Sequence, residues 1–140
     1  MNDFIFSYPT KVYFGKGCVQ EYLASLLRNY GPTVMLAYGC GSVKKSGVYD
    51  QLTAILAGAG KAVVEFGGIM PNPTYAKVQE GAKLARENHV DFILAVGGGS
   101  VIDCCKIVST QAKLDGGIWE LQSIPMGAVV TVSGTGSEMN

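Results

Sequence analysis

Asp91-Phe92-Ile93-Leu94-Ala95-Val96-Gly97-Gly98-Gly99-Ser100-Val101-Ile102-Asp103-Cys104-Cys105-Lys106 reads as a strand, a glycine turn and a helix. The apolar run Phe92 to Val96 has the length of a buried strand, and the residues after Ser100 resume as a helix to about Thr110. Consecutive glycines at Gly97, Gly98 and Gly99 remove every Cβ where the backbone must turn sharply. The amides that open the helix have no partners within it, and at the positive end of the helix dipole they favour phosphate. A plain strand-to-helix turn is content with one glycine. Three followed by a serine point to nucleotide binding, with the Gly99 backbone expected to approach the phosphates closely.

Working outward, Thr33 to Tyr38 is nearly continuous in Val34, Met35, Leu36 and Ala37, as in a strand covered on both faces. Lys11 to Phe14 alternates and predicts a short first strand, Ala62 to Phe66 a third, and Ala128 to Thr131 a last. Helical spacing of apolar residues marks Val19 to Tyr30 and Val48 to Ala59. Pro71 and Pro73 make a rigid loop, after which Thr74 caps a helix to about Asn88. Strands alternating with helices at this spacing imply an α/β fold: a Rossmann-like, largely parallel sheet with helices on both faces.

The chain has 140 residues, so residues 1–140 are expected to form one domain. Eleven basic residues balance eleven acidic ones without a basic run, which argues against nucleic acid as a partner. Its apolar stretches are too short to span a bilayer, and the N-terminus lacks signal-peptide character. A soluble, cytoplasmic protein with no membrane partner is expected. Cys18, Cys40, Cys104 and Cys105 lack Cys-x-x-Cys spacing and read as reduced packing residues. His89, the sole histidine, reads as a loop residue or a helix C-terminal charge, with no second histidine for a metal site or triad.

In open α/β sheets the ligand lies beyond the carboxyl ends of the strands, and each such end here is rich in Gly, Ser, Thr or Asn. Ser100-x-x-Asp103 has capping-box form, so Asp103 is either a helix cap or a contact to the ribose or nicotinamide side, and Lys106 can pair with it. After Tyr38 the chain offers Gly39-Cys40-Gly41-Ser42 with Lys44 and Lys45, and no acid for a ribose 2′-hydroxyl. That favours NADP over NAD, though a solvated loop with two surface lysines would look the same. Thr135-x-x-Glu138 announces a further helical turn just before the end of the chain.

These motifs resemble the iron-containing (group III) alcohol dehydrogenases, in the butanol dehydrogenase and NADPH-dependent aldehyde reductase branch. The resemblance rests on Phe14-Gly15-Lys16-Gly17, the run from Tyr38 to Gly47, Phe66-Gly67-Gly68-Ile69-Met70-Pro71-Asn72-Pro73, Gly97 to Asp103 with Lys106, and Thr135-Gly136-Ser137-Glu138. It implies the N-terminal dinucleotide-binding domain of the dehydroquinate synthase-like fold, without the C-terminal helical domain whose aspartate and histidines hold iron or zinc. No metal is therefore expected on this chain. Family members pass hydride between a nicotinamide dinucleotide and a primary alcohol or aldehyde, and homo-oligomers are expected. By the same resemblance Gly39, Gly41 and Ser42 match the 2′-phosphate loop, and Cys40 stands where NAD-preferring relatives often carry aspartate. Gly98, Gly99 and Ser100 match the pyrophosphate turn. Asn72 matches an asparagine facing the cofactor, and Thr131 and Thr135 match its adenine- and ribose-side threonines. The connection Leu114 to Met126 is shorter than is usual there. A non-catalytic nucleotide-binding or subunit-interaction module is the alternative reading.

Overall fold

In the computed structural model, which describes residues 3, 5, 9–114, 122–134 and 136–139, helices and strands alternate along the chain. The elements are α1 (Cys18–Leu27), β1 (Thr33–Tyr38), α2 (Ser42–Lys45), α3 (Val48–Gly58), β2 (Ala62–Phe66), α4 (Tyr75–Glu87), β3 (Phe92–Gly97), α5 (Gly99–Gln111) and β4 (Met126–Val130), followed by a 3₁₀ turn at Ser137–Met139. All strand pairs are parallel, in the order β2-β1-β3-β4.

The apolar runs of β1 and β3 are continuous because successive residues feed two different cores. Met35, Ala37, Ile93 and Ala95 pack with Val78 and Ala85 of α4 and Val101, Ile102 and Val108 of α5. Val34, Leu36, Phe92, Leu94 and Val96 pack on the other face with Leu23 and Leu27 of α1 and Leu52 and Leu56 of α3. Leu27, Leu52, Leu56 and Ile93 are wholly buried, each worth roughly 1.5–3 kcal/mol relative to exposure. Cys104 and Cys105 belong to the first core, where burial pushes both thiols up and keeps them protonated.

The helix ends follow local chemistry. Thr74 adopts an extended conformation and accepts the Lys77 N–H on its hydroxyl at 3.2 Å, so the expected cap of α4 is in place. At the other end His89 sits at φ 51, its N–H donating to Arg86 O and the Val90 N–H donating to Ala85 O. This is the left-handed closing turn that glycine usually supplies, and Gly60 supplies it after α3 with φ 72 and the equivalent bonds to Ala57 O and Leu56 O.

Three sequence expectations are corrected. Residues 11–14 form no strand: Phe14 is 98% exposed, and Tyr13 lies against Tyr22 of α1 with ring centroids 4.8 Å apart. A run of four alternating residues has no ladder to join there. The first helix ends at Leu27 rather than Tyr30, whose ring instead packs on Phe92 at 4.6 Å. The last strand is displaced toward the N-terminus, because the ladder starts where the Ile93 N–H donates to Pro125 O and ends with Gly97 opposite Val130. Thr131 therefore lies just beyond the strand. The short helix α2, which the Gly-rich sequence did not announce, follows Gly41 at φ 132 and buries Val43.

Candidate dinucleotide site

The strand order reverses between β1 and β3, since α1 and α3 cover one face and α4 and α5 the other. A crevice opens beyond the carboxyl ends of the strands at such a point. Here it is a cleft of about 270 Å³ lined by Cys40 after β1, by Ile69 and Pro71 after β2, and by Gly98, Gly99, Ser100 and Val101 after β3.

Its floor is the start of α5. Gly97, at φ 150, is the turning point: a Cβ there would stand 2.9 Å from Val101 Cγ2 and the backbone conformation itself disfavours a side chain. Gly98 is the extended N-cap, and no side chain caps the helix. The first-turn amides of α5 thus open at the cleft without a side-chain acceptor, beside a dipole end that favours an anion.

The capping-box reading of Ser100 and Asp103 is corrected by this geometry. Because the glycines let the helix begin at Gly99, Ser100 already lies inside its first turn and lines the cleft. Asp103 does not line it. Its exposed carboxylate instead stands 3.8 Å from Lys106 Nζ, one turn along.

Gly39 lies where β1 leaves the sheet, and a Cβ on it would meet Ile69 O at 3.3 Å. Gly41 and Ser42 open α2 next to the cleft-lining Cys40, whose thiol points to Ile69 O at 3.8 Å. Cys40 is exposed, so of the four cysteines it departs from the packing role. Asn72 follows Pro71 at φ 51, and the Thr131 N–H donates to Gly97 O at 3.0 Å, holding the end of β4 to the glycine turn. Thr135 lies outside the described residues. The structure thus gathers Gly98, Gly99 and Ser100 in the cleft wall, sets Gly39, Gly41, Ser42, Asn72 and Thr131 one or two residues from it in sequence or by hydrogen bond, and leaves Asp103 aside. Ile69 and Val101 are apolar and carried no signal as site residues; Gly67-Gly68 was the sequence sign that this loop approaches another backbone.

Beside the cleft, Tyr38 and Tyr49 both donate to Glu65 Oε1, and Lys44 Nζ sits over both rings, 5.4 and 4.9 Å from their centroids. The hydrogen bond to Glu65 pushes the Tyr49 phenol up to about 12. Among the described residues no group of three or more His, Cys, Asp or Glu side chains is placed to hold a metal ion. No helix there is long and apolar enough to cross a membrane.

The family model for iron-containing alcohol dehydrogenases matches residues 9–140. The chain belongs to that family. It is 46% identical to the probable NADH-dependent butanol dehydrogenase 2 of Bacillus subtilis over 148 aligned positions, covering 100% of this chain and 38% of that protein. Identity to the NADPH-dependent aldehyde reductase YqhD of Escherichia coli is 42%, again with 100% of this chain and 38% of the relative. Among solved structures, the NADH-dependent butanol dehydrogenase A of Thermotoga maritima superposes with a TM-score of 0.90 at 39% identity, covering 100% of this chain and 37% of that one. The chain thus spans a little over a third of the length of these relatives, and among its described residues no cluster of side chains is placed to hold the iron of the family name.

Proposed function

We propose that residues 1–140 are the dinucleotide-binding part of an alcohol dehydrogenase or aldehyde reductase that exchanges hydride between a nicotinamide cofactor and a primary alcohol or aldehyde. The observation that carries this is the uncapped start of α5 in the cleft at the strand-order reversal, built on a glycine turn that admits no Cβ at Gly97. Gly98, Gly99 and Ser100 receive the pyrophosphate. Gly39, Gly41 and Ser42 face the adenosine ribose, with Asn72, Thr131 and Thr135 completing the surround. Substrate and metal would be held by a helical part outside these residues, and no chemical step is assigned to them.

NADP(H) is the preferred cofactor in this reading, because the cleft wall after β1 carries Cys40 and no carboxylate to accept a ribose 2′-hydroxyl or repel a 2′-phosphate. The printed names of the relatives include both NADH- and NADPH-dependent enzymes. Calorimetric titration of the chain with NADP(H) and NAD(H) tests both parts: binding is expected, tighter for NADP(H), and Cys40→Asp should shift the ratio toward NAD(H) by roughly tenfold, a difference of about 1.4 kcal/mol. Absence of binding to either cofactor overturns the site. Equal or tighter NAD(H) binding overturns the preference alone.

A further inference from the structure

Lys77 is placed oddly for a helix residue. It stands in the first turn of α4, where the helix dipole disfavours a cation, yet its side chain is only 14% exposed. Its ammonium lies 4.9 Å from the Phe66 ring centroid and 2.7 Å from Glu80 Oε2. A Cβ on Gly68 would be 3.6 Å from that same Nζ. On the neighbouring Gly67 a Cβ would fall 2.6 Å from Tyr38 Cε2, so the tyrosine ring lies against its backbone. Gly67 thus packs on the Tyr38 ring, while the Lys77 ammonium occupies the side of Gly68 toward which a side chain would project.

The glycine pair leads into the cleft wall. Beyond the end of β2, the Gly68 N–H donates to Gly39 O and the Ile69 N–H to Tyr38 O, each at 3.2 Å, and the segment then carries Ile69 and Pro71 along the cleft. The far end of the segment is tied to the same lysine, whose N–H bonds the Thr74 hydroxyl. Lys77 thus bonds the far end of the loop at Thr74 through its backbone, and its ammonium stands on the side of Gly68 where a side chain would project. Ile69 O in turn faces the Cys40 thiol.

We propose that Lys77 is a positioning residue for the cleft: by filling the space over the Phe66 ring and beside Gly68, and by bonding Thr74, it fixes the wall formed by Ile69 and Pro71 in the shape that receives the dinucleotide. The ligand assignment rests on the proposed function above, and the geometry of the wall does not. The two are separated by measuring the alkylation rate of Cys40 with iodoacetamide in the absence of nucleotide, by mass spectrometry in a Cys18→Ser background, alongside cofactor affinity and thermal midpoint. Lys77→Met should raise Cys40 labelling and weaken cofactor binding by roughly three- to tenfold, about 0.7–1.4 kcal/mol in affinity. Lys77→Arg, which keeps the cation, should restore both. Faster labelling in a parent that binds no cofactor would sink the ligand and keep the wall. Unchanged labelling and affinity in folded Lys77→Met overturn the proposal, as does a fall in thermal midpoint that Lys77→Arg repairs with both readouts unmoved throughout. Should Lys77→Met not fold, Glu80→Gln decides: it removes the partner of the ammonium from an exposed site, and Cys40 labelling as slow as in the parent overturns the proposal.

Discussion

Thr33 and Asp91 exchange two hydrogen bonds at the amino ends of the central strands: the Thr33 N–H donates to Asp91 Oδ2 at 2.9 Å and the Asp91 N–H to Thr33 O at 2.8 Å. The carboxylate fills the space beside Gly31, where a Cβ would stand 2.4 Å from Asp91 Cγ. Lys61 closes the same corner by donating to Tyr30 O and Gly31 O. All of this lies at the end of the sheet opposite the cleft. Asp91→Ala leaves the Thr33 amide without its partner and should cost about 1–3 kcal/mol in urea unfolding, with cofactor affinity unchanged. Gly31→Ala displaces the same carboxylate, so the double variant should lose less than the sum of the singles.

The closing turn of α4 can be improved. His89 holds a left-handed conformation at φ 51 that costs a side-chain-bearing residue roughly 1 kcal/mol, whereas Gly60 meets the same demand after α3 without that cost. His89→Gly should therefore raise stability by about 0.5–1 kcal/mol, less the entropy that a glycine adds to the unfolded chain. A lowered urea midpoint would show that the imidazole contributes more than the backbone strain removes.

Gly99 begins α5 inside the cleft, and Gly98 and Ser100 flank it there. Gly99→Val places a branched side chain among the amides that are to meet the pyrophosphate and should abolish cofactor binding by calorimetry, with circular dichroism retained. Gly97→Ala acts differently. Its added carbon meets Val101 at 2.9 Å in a backbone conformation that disfavours it, so a loss of about 1–3 kcal/mol of stability is expected as well.

Alkaline unfolding should reveal the Tyr49–Glu65 bond. The hydrogen bond to Glu65 favours the protonated phenol and raises its pKa from 10.0 to about 12 in the folded chain. A raised folded pKa means a contribution present in full below the unfolded value and lost as pH rises through the folded one. Stability of the parent should therefore fall between pH 10 and about pH 12, and Tyr49→Phe should flatten that part of the profile. Parallel profiles would mean that the exposed pair is screened by solvent.

Much of the fold and part of the site could be read from the residues alone. β1 has the bounds that its apolar run and the glycine after it predict, because an apolar run that feeds two cores needs no alternation and ends where glycine begins, and β2 likewise stops before Gly67 although only Phe66 of it is buried. Thr74 caps α4 as its position before the helix demands. Gly98, Gly99 and Ser100 line the cleft because consecutive glycines between a strand and a helix carry their own geometry. These are signals of local origin, written over a few neighbouring residues.

What tertiary structure decided were the matters that depend on a partner distant in sequence. Ser100-x-x-Asp103 satisfies the form of a capping box, but the three-dimensional turn at Gly97 starts the helix earlier, so the box is spent inside it and Asp103 pairs with Lys106. Lys11 to Phe14 alternates like a strand and finds no ladder among the described residues, and the start of β4 is set by where Pro125 O meets the Ile93 amide. No pattern in 67–77 shows that the Tyr38 ring packs on Gly67 or that the Lys77 ammonium stands beside Gly68, since that placement exists only once the sheet has brought β1, β2 and α4 together. Local sequence could write the glycine turn and the cap; register, strand order and the packing of the cleft wall are properties of chains of contacts, and their physical cause is the burial of both sheet faces at once.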